Sequence, residues 1–217
     1  MLNNDAVPRA PFAVSDLRQL ENVVRTGDVV FIRIARTPFR QIAAVTRIWT
    51  NHVGIVTGFN DRGALIAESR IPFSCHTPFA RFVQRSEHGR VAVLRLPRAL
   101  TAEECVTLQA AARSRLGRLY DTGFNLESRR QFCSRFVREV LAESTGVVLG
   151  KVMTFRELLA RSPGADLRLW KLWYFGRIPW ERRTVTPASL YHDSALQVLF
   201  DGAVVPRLQR SNCLKPL

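Results

Sequence analysis

Residues 52–69, HVGIVTGFNDRGALIAES, contain the pattern that decides the fold of this chain. Two runs rich in β-branched and other apolar residues flank the turn residues NDRG, which predicts a β-hairpin. His52 opens the first strand, and Gly54 and Gly58 follow it on the same side. Glycines leave space for another backbone or a substrate to approach that face. His52 is therefore a candidate for a chemical role, the alternative being a structural histidine.

Glu68 lies near the end of the second strand. The length of the hairpin loop decides whether its side chain lies on the same face of the sheet as His52. Side chains alternate along a strand, so a loop of three or five residues places Glu68 on the face of His52, and a loop of four places it on the other face. On the same face, Glu68 would orient the imidazole and stabilise its charged form. The alternative is an ion pair with Arg70 or another arginine.

Strand and helix signals continue on both sides of the hairpin. DVVFIRI (28–34) and RVAVLRL (90–96) read as further strands. Helices are expected after Ser15 as far as Gly27, from Thr37-Pro38 to about Ile48, after Thr77-Pro78, from the capping box Thr101/Glu104 to about Leu116, from about residue 129, and after the capping box Thr154/Glu157. This order indicates an α+β domain with antiparallel strands.

The charge balance is strongly basic, whereas the rest of the composition is ordinary. The 217 residues carry a formal net charge of +14, and 29 of the 32 basic residues are arginines. Such a surface attracts nucleic acid, anionic lipid or cell-wall polymer, although a compositional bias explains scattered arginines equally well. The aromatic run LRLWKLWYF (167–175) would suit a nucleic-acid-binding module. No other motif supports that interpretation, so we read the run as a core strand or packing ridge and do not expect nucleic acid as the partner.

The four cysteines show neither a C-x-x-C pair nor a metal-binding spacing, which indicates free thiols in a reducing compartment and no metal site. The N-terminus lacks a secretory signal pattern, and no apolar stretch is long enough to span a membrane. We therefore expect a protein that is cytoplasmic where it is made. Export without a signal peptide stays open.

Cys133 lies at the opening of an amphipathic segment, QFCSRFVREV (131–140). Ser128 with Gln131 predicts a capping box that starts the helix at about 129 and puts Cys133 in its second turn; a start nearer Gln131 would suit the chemistry better. Near a helix start the aligned dipole and a neighbouring imidazolium both favour the thiolate. The other thiols lack that setting: Cys105 is expected inside a helix, Cys213 in the tail, and Cys75 in a connecting segment beside His76.

Five motifs in this order resemble the NlpC-type papain-like cysteine hydrolases: GDVVF (27–31), NHVGIV (51–56), LIAES (65–69), YDTGFN (120–125) and FCSRFV (132–137). His52 precedes Cys133, as in the circularly permuted YiiX/YebB-like branch, which is related to the lecithin:retinol acyltransferase group. The resemblance covers roughly residues 26–145. It implies a permuted papain-like fold in which the nucleophile helix packs on an antiparallel sheet. We expect one domain, 1–217, with its core at about 26–145 and residues 146–217 as a C-terminal subdomain or extension.

The resemblance also implies roles for individual residues. Cys133 matches the nucleophile, His52 the base and Glu68 the third, polar member, with the Cys133 backbone N–H in the oxyanion hole. Tyr120 and Asp121 match a pair that positions the site or contacts substrate. No metal or organic cofactor is implied.

The reaction implied is hydrolysis of an amide bond through an acyl-enzyme. We expect peptidoglycan peptides as substrate, for a bacterial wall-targeting effector or toxin that reaches a target-cell periplasm without a signal peptide and has an immunity or inhibitor protein. The alternative is a lipid or thioester acyl hydrolase or acyltransferase at an anionic membrane. The residues alone do not choose between these substrates.

Overall fold

Eight strands and seven helices make up the part of the chain that the computed structural model describes, residues 16–35, 46–162 and 167–204. The strands are β1 (Val29–Ile34), β2 (His52–Asn60), β3 (Gly63–Ser69), β4 (Ser74–Pro78), β5 (Ser86–Arg95), β6 (Met153–Thr154), β7 (Arg183–Thr184) and β8 (Gln197–Ala203). The helices are α1 (Leu17–Val23), α2 (Phe79–Gln84), α3 (Ala102–Arg113), α4 (Cys133–Thr145), α5 (Phe155–Ala160), α6 (Leu167–Trp173) and α7 (Pro187–Tyr191).

Six of the strands form one antiparallel sheet in the order β4-β3-β2-β1-β5-β8, and β6 pairs with β7 in a separate two-stranded sheet. The first four residues of β1 are buried, as expected for an uninterrupted apolar run in the middle of a sheet that is covered on both faces. β8 pairs with β5, so the last described strand lies in the same sheet as the hairpin. The predicted α+β class and antiparallel sheet are confirmed.

Helices cover both faces of the sheet and enclose two apolar cores. Helices α3 and α4 pack on one face, where the α4 stripe of Phe136, Val137, Val140 and Leu141 is buried. Burying each such side chain stabilises the fold by about 1.5–3 kcal/mol. Helices α1 and α2 pack on the opposite face. The sheet and α4 thus form a rigid frame for the start of that helix.

The hairpin loop is shorter than any length considered from the sequence. Asn60 pairs with Gly63, which leaves a two-residue loop, and an even loop alone would turn Glu68 away from the face of His52. A β-bulge at Thr57 shifts the register of β2 against β3 by one residue and reverses that outcome. Glu68 therefore shares a face with His52 because of the bulge.

Several predicted boundaries are corrected by the structure. Helix α1 is capped by Asp16 and ends at Val23, before Gly27, and α3 ends at Arg113. The capping boxes at Thr101 and Thr154 are confirmed, since both reciprocal hydrogen bonds form in each.

Two further corrections concern thiols and histidines. Cys75 and His76 lie in β4, not in a connecting segment. The predicted helix from Thr37-Pro38 falls mainly outside the described residues, as does Cys213.

Candidate active site

Helix α4 begins at Cys133 itself, with Phe132 as its N-cap. The predicted capping box of Ser128 and Gln131 is wrong. The Ser128 hydroxyl accepts a hydrogen bond from the Arg130 N–H, and the Gln131 amide donates to Glu139. Cys133 thus occupies the first helical position, where the dipole favours a thiolate most.

Pairing with an upstream segment keeps the chain extended up to this point. The Gln131 N–H donates to the Leu119 carbonyl at 2.9 Å, and the Asp121 N–H donates to the Gln131 carbonyl at 2.7 Å. Because the Gln131 carbonyl accepts from Asp121, it does not serve as the first acceptor of a helix. The long-range pairing therefore accounts for the start of α4 at Cys133.

Cys133 lies where strands β2 and β3 separate. Their pairing starts at Ile55–Ala67, so the first residues of β2 pair with β1 alone. The Val53 N–H donates to the Cys133 sulfur, and the Ser69 hydroxyl donates to the Gln131 carbonyl at 3.0 Å. These contacts fix the start of α4 at the point where β2 and β3 separate.

His52 links Cys133 to Glu68 at this opening. Its Nε2 lies 2.6 Å from Glu68 Oε2, and the imidazole lies close enough to the Cys133 sulfur for each group to shift the pKa of the other. All three side chains are buried: His52 and Glu68 are fully inaccessible and Cys133 is 4% exposed. The structure therefore brings together the three residues proposed for catalysis.

The electrostatics of this group favour a thiolate–imidazolium pair. Burial lowers the pKa of His52, but the hydrogen bonds and charges of Cys133 and Glu68 outweigh burial and raise it to about 9. Burial raises the pKa of Cys133, but the hydrogen bond and charge of His52 lower it below its usual value. The N–H groups of Val53 and Ser134 act in the same direction. At neutral pH the proton belongs on His52.

Glu68 has two more partners, which the sequence did not reveal. Thr77 Oγ1 donates to Glu68 Oε1 at 2.6 Å, and Arg85 Nη2 lies 2.7 Å from both carboxylate oxygens. Burial raises the pKa of Glu68, but His52 and Arg85 lower it to about 2. The ion pair considered for Glu68 thus forms with Arg85 rather than Arg70, together with the histidine contact. No sequence signal distinguishes Arg85 among 29 arginines.

Tyr120 and Asp121 occupy different positions. Tyr120 is buried beside Cys133; burial raises the pKa of its hydroxyl well above the usual value, and the charge and hydrogen bonding of Cys133 raise it further. The Asp121 carboxylate accepts hydrogen bonds from the N–H groups of Gly123 and Asn125. The structure therefore places Tyr120 at the sulfur and Asp121 in the loop that leads to α4.

A narrow apolar pocket, with a cavity volume of about 40 Å³, opens beside Cys133. Its walls come from the start of α4, from α5 and α6, and from residues 184–187; the apolar members are Phe124, Phe132, Phe155, Leu158, Leu159, Trp170, Val185 and Pro187. Most of these residues lie beyond 145, outside the region of the resemblance, so sequence reasoning missed the pocket.

The aromatic run 167–175 forms helix α6 and the turn after it, not a strand. Trp170 is buried against Phe155 and stacks on Tyr174, which makes the run a packing ridge behind the pocket. Leu172 and Phe175 point outward and are 81% and 97% exposed. Within the described ranges no helix has the length and apolar character needed to cross a membrane.

Comparison with known proteins places these observations in a family context. The family described as permuted papain-like amidase enzyme, YaeF/YiiX, C92 family, matches residues 23–200. The crystal structure of the metalloprotein YiiX from Escherichia coli O157:H7 is similar, with a TM-score of 0.76 and 23% sequence identity over 82% of this chain and 98% of that chain. At that identity the likeness shows the fold. No curated protein matches the chain.

Proposed function

The chain belongs to the C92 family of permuted papain-like amidases and is a cysteine hydrolase, and from this premise we propose that Cys133 is its nucleophile, His52 its acid–base residue and Glu68 the orienting carboxylate. The observation that carries the assignment is the placement of Cys133 beside His52 and of His52 against Glu68, buried at the opening of the β2–β3 hairpin. A nucleophile, a base and an orienting group in contact form the arrangement that covalent acyl transfer needs.

In the first half of the reaction, the Cys133 thiolate attacks the amide carbonyl and His52 donates its proton to the leaving amine. In the second half, neutral His52 takes a proton from water, and the resulting hydroxide attacks the thioester and releases the acid and Cys133. The Cys133 backbone N–H at the start of α4 stabilises the oxyanion. The Tyr120 hydroxyl, next to the sulfur, contacts the reacting carbonyl, and Asp121 positions the loop.

The similar YiiX protein is described as a metalloprotein. Across the described residues of this chain, no group of three or more His, Cys, Asp or Glu side chains could hold a metal ion, so the proposed steps are assigned to side chains alone.

The pocket lining supports an apolar acyl half for the scissile amide. Peptidoglycan stem peptides are short and rich in polar and charged groups, whereas the wall next to Cys133 consists mainly of phenylalanine, leucine, tryptophan and valine side chains. Apolar surface gains free energy by leaving water, and unpaired polar groups lose it. We therefore favour a fatty-acyl or similarly apolar group bound as an amide, ester or thioester. Cleavage of peptidoglycan peptides by an exported effector with an immunity protein is the second candidate, motivated by the sequence resemblance.

Acyl-chain length separates the two candidates. We expect kcat/KM for N-acyl 4-nitroanilides to rise by about tenfold from acetyl to butanoyl, because each buried methylene contributes about 0.8 kcal/mol. Leu158→Glu should remove most of this gain by placing a charge in the pocket wall. Leu172→Glu, an exposed leucine on α6, is the matched control. Product analysis by mass spectrometry, with purified peptidoglycan and anionic phospholipid vesicles as parallel substrates, identifies the bond cleaved. Cleavage of peptidoglycan with no dependence on chain length would favour the second candidate.

Cys133 should also be the most reactive thiol, although it is more buried than Cys75 and Cys105. Its lowered pKa keeps the thiolate populated below the pH at which an ordinary thiol, with a pKa of about 8.5, ionises. We expect iodoacetamide to label Cys133 first at pH 6, measured peptide by peptide, with protein unfolded in guanidinium as the control. Earlier labelling of Cys75 or Cys105 in the folded protein would count against the assignment.

A further inference from the structure

Glu68 is held in a site where a carboxylate needs a permanent opposite charge. Its side chain is fully inaccessible, and an isolated buried carboxylate is unstable relative to its protonated form. Thr77 offers a neutral hydrogen bond, and His52 offers a positive charge only while it is protonated. Arg85 is always charged, and its Nη2 reaches both carboxylate oxygens at 2.7 Å.

The end of helix α2 positions Arg85, the residue that follows the helix, beside the buried Glu68 carboxylate. The Arg85 N–H closes the end of α2 by donating to the carbonyls of Phe82 and Val83. The guanidinium carbon lies 5.0 Å from the centre of the Phe82 ring, and that ring lies 5.7 Å from the His52 ring. The Arg85 side chain is 28% exposed, so it extends from the protein surface to the buried carboxylate. Its position is therefore fixed from two directions.

The charges at the site change during the reaction that we propose. Arg85 balances the negative charge of Glu68 at the stage when His52 is neutral. Before attack, the thiolate and Glu68 are both negative, while His52 and Arg85 are both positive. In the acyl-enzyme, Cys133 is esterified as a thioester and His52 has given its proton to the leaving amine. Glu68 then has Arg85 as its remaining positive partner among the described residues.

We propose that Arg85 is a positioning residue that keeps Glu68 ionised in the acyl-enzyme and thereby holds His52 in the tautomer that can activate water. An ionised Glu68 can only accept a hydrogen bond, so the His52 proton stays on Nε2 and the other ring nitrogen, Nδ1, keeps its lone pair for water. A protonated Glu68 would donate to Nε2, force the ring proton onto Nδ1 and remove the base. This inference rests on the proposed catalytic roles of Cys133 and His52.

The surroundings of Glu68 agree with this role. Arg85 is one of the groups that hold the pKa of Glu68 down to about 2 against burial. Within the described ranges, the other titratable groups that contact Glu68, pair opposite it or interact with its site are His52 on β2, Cys75 on β4, Tyr120 before α4 and Cys133 on α4. None of these four groups is a permanent cation, and Arg85 is the arginine that contacts the Glu68 carboxylate.

The test compares Arg85→Met and Arg85→Lys with Arg81→Met, which removes an exposed arginine of α2 that does not contact Glu68. With 4-nitrophenyl butanoate, Arg85→Met should show a larger pre-steady-state burst and a kcat lowered by roughly 10- to 100-fold, by analogy with other outer partners of functional histidines. Its kcat/KM should change less than about threefold, because acylation starts from protonated His52. The acid limb of kcat should move up by about one pH unit or more, since loss of an adjacent positive charge raises the pKa of a carboxyl group. Arg85→Lys should restore most of kcat.

A second measurement does not depend on turnover. The Cys133→Ala variant lacks the thiolate, as the acyl-enzyme does, and serves as the background. We expect ¹⁵N NMR of labelled histidine, at a pH where His52 is neutral, to show the Nε2–H tautomer when Arg85 is present. With Arg85→Met in the same background, the Nδ1–H tautomer should appear. The Nε2–H tautomer in both proteins, or equal losses of kcat and kcat/KM in Arg85→Met, would overturn the inference. Retained activity of Cys133→Ala would instead overturn the proposed function, and the NMR comparison would still report on Arg85 itself.

Discussion

Cys133→Ala should lower kcat for amide hydrolysis by about 10⁵-fold, the largest effect of any substitution in the chain. Removal of the nucleophile prevents formation of the acyl-enzyme, and the oxyanion donors and the pocket retain only a small part of the rate enhancement. The change removes one buried sulfur atom at the start of α4, where Phe132 and Phe136 keep the helix packed on the sheet. The fold should therefore be preserved, as checked by circular dichroism and thermal unfolding.

Two controls make this result specific. Cys105→Ala changes a half-buried thiol on α3 and should leave kcat unchanged. Cys133→Ser keeps a nucleophilic atom but places an alcohol where the lowered pKa of a thiol is needed, so it should be nearly as inactive as the alanine variant. Activity of Cys133→Ala above about a tenth of wild type, far beyond the residual rate expected without a nucleophile, would exclude a covalent mechanism at this residue.

Glu68→Gln should lower kcat by roughly a hundredfold or more, by analogy with triad carboxylates. Glutamine keeps a hydrogen-bond acceptor for His52, but it removes the negative charge that stabilises the imidazolium and holds the ring tautomer. Glu87→Gln is the matched control, because Glu87 forms an ion pair with Arg33 at 2.7 Å on the outer part of the same sheet. Turnover of Glu68→Gln within about threefold of wild type would leave a Cys133–His52 dyad.

Glu68→Gln should also destabilise the protein, whereas loss of a carboxylate near solvent would have little effect on its stability. Glu68 is fully buried between His52, Thr77 and Arg85, and breaking a buried pair costs about 3 kcal/mol or more. Because the Glu68 pKa is lowered from 4.5 to about 2, its stabilising contribution is complete above pH 4.5 and is lost as the pH falls through about 2. The His52 pKa is raised from 6.5 to about 9, so its contribution is complete below pH 6.5 and is lost as the pH rises through about 9. The difference in melting temperature between wild type and Glu68→Gln should therefore be largest between pH 4.5 and 6.5.

The sequence by itself predicted most of the elements and the three residues that we propose for catalysis. A continuous apolar run identified β1, runs rich in β-branched residues around a turn identified the hairpin strands, and alternation identified β5. The capping boxes at Thr101 and Thr154 located two helix starts, because these signals act between neighbours along the chain. The order of the motifs selected His52, Glu68 and Cys133, and the structure places these three side chains in contact.

Tertiary structure alone decided how these residues work together. The bulge at Thr57 compensates for the two-residue loop and places Glu68 on the face of His52. A register shift of this kind depends on how two strands pack together rather than on the sequence of either strand. Pairing of Gln131 with the chain at 119–121 makes Cys133 the first residue of α4. Arg85 reaches Glu68 from 17 positions along the chain, and most of the apolar side chains of the pocket wall come from beyond residue 145. Contacts between segments distant in sequence have no local periodicity or capping signal, so they become visible only when the sheet and the helices have assembled.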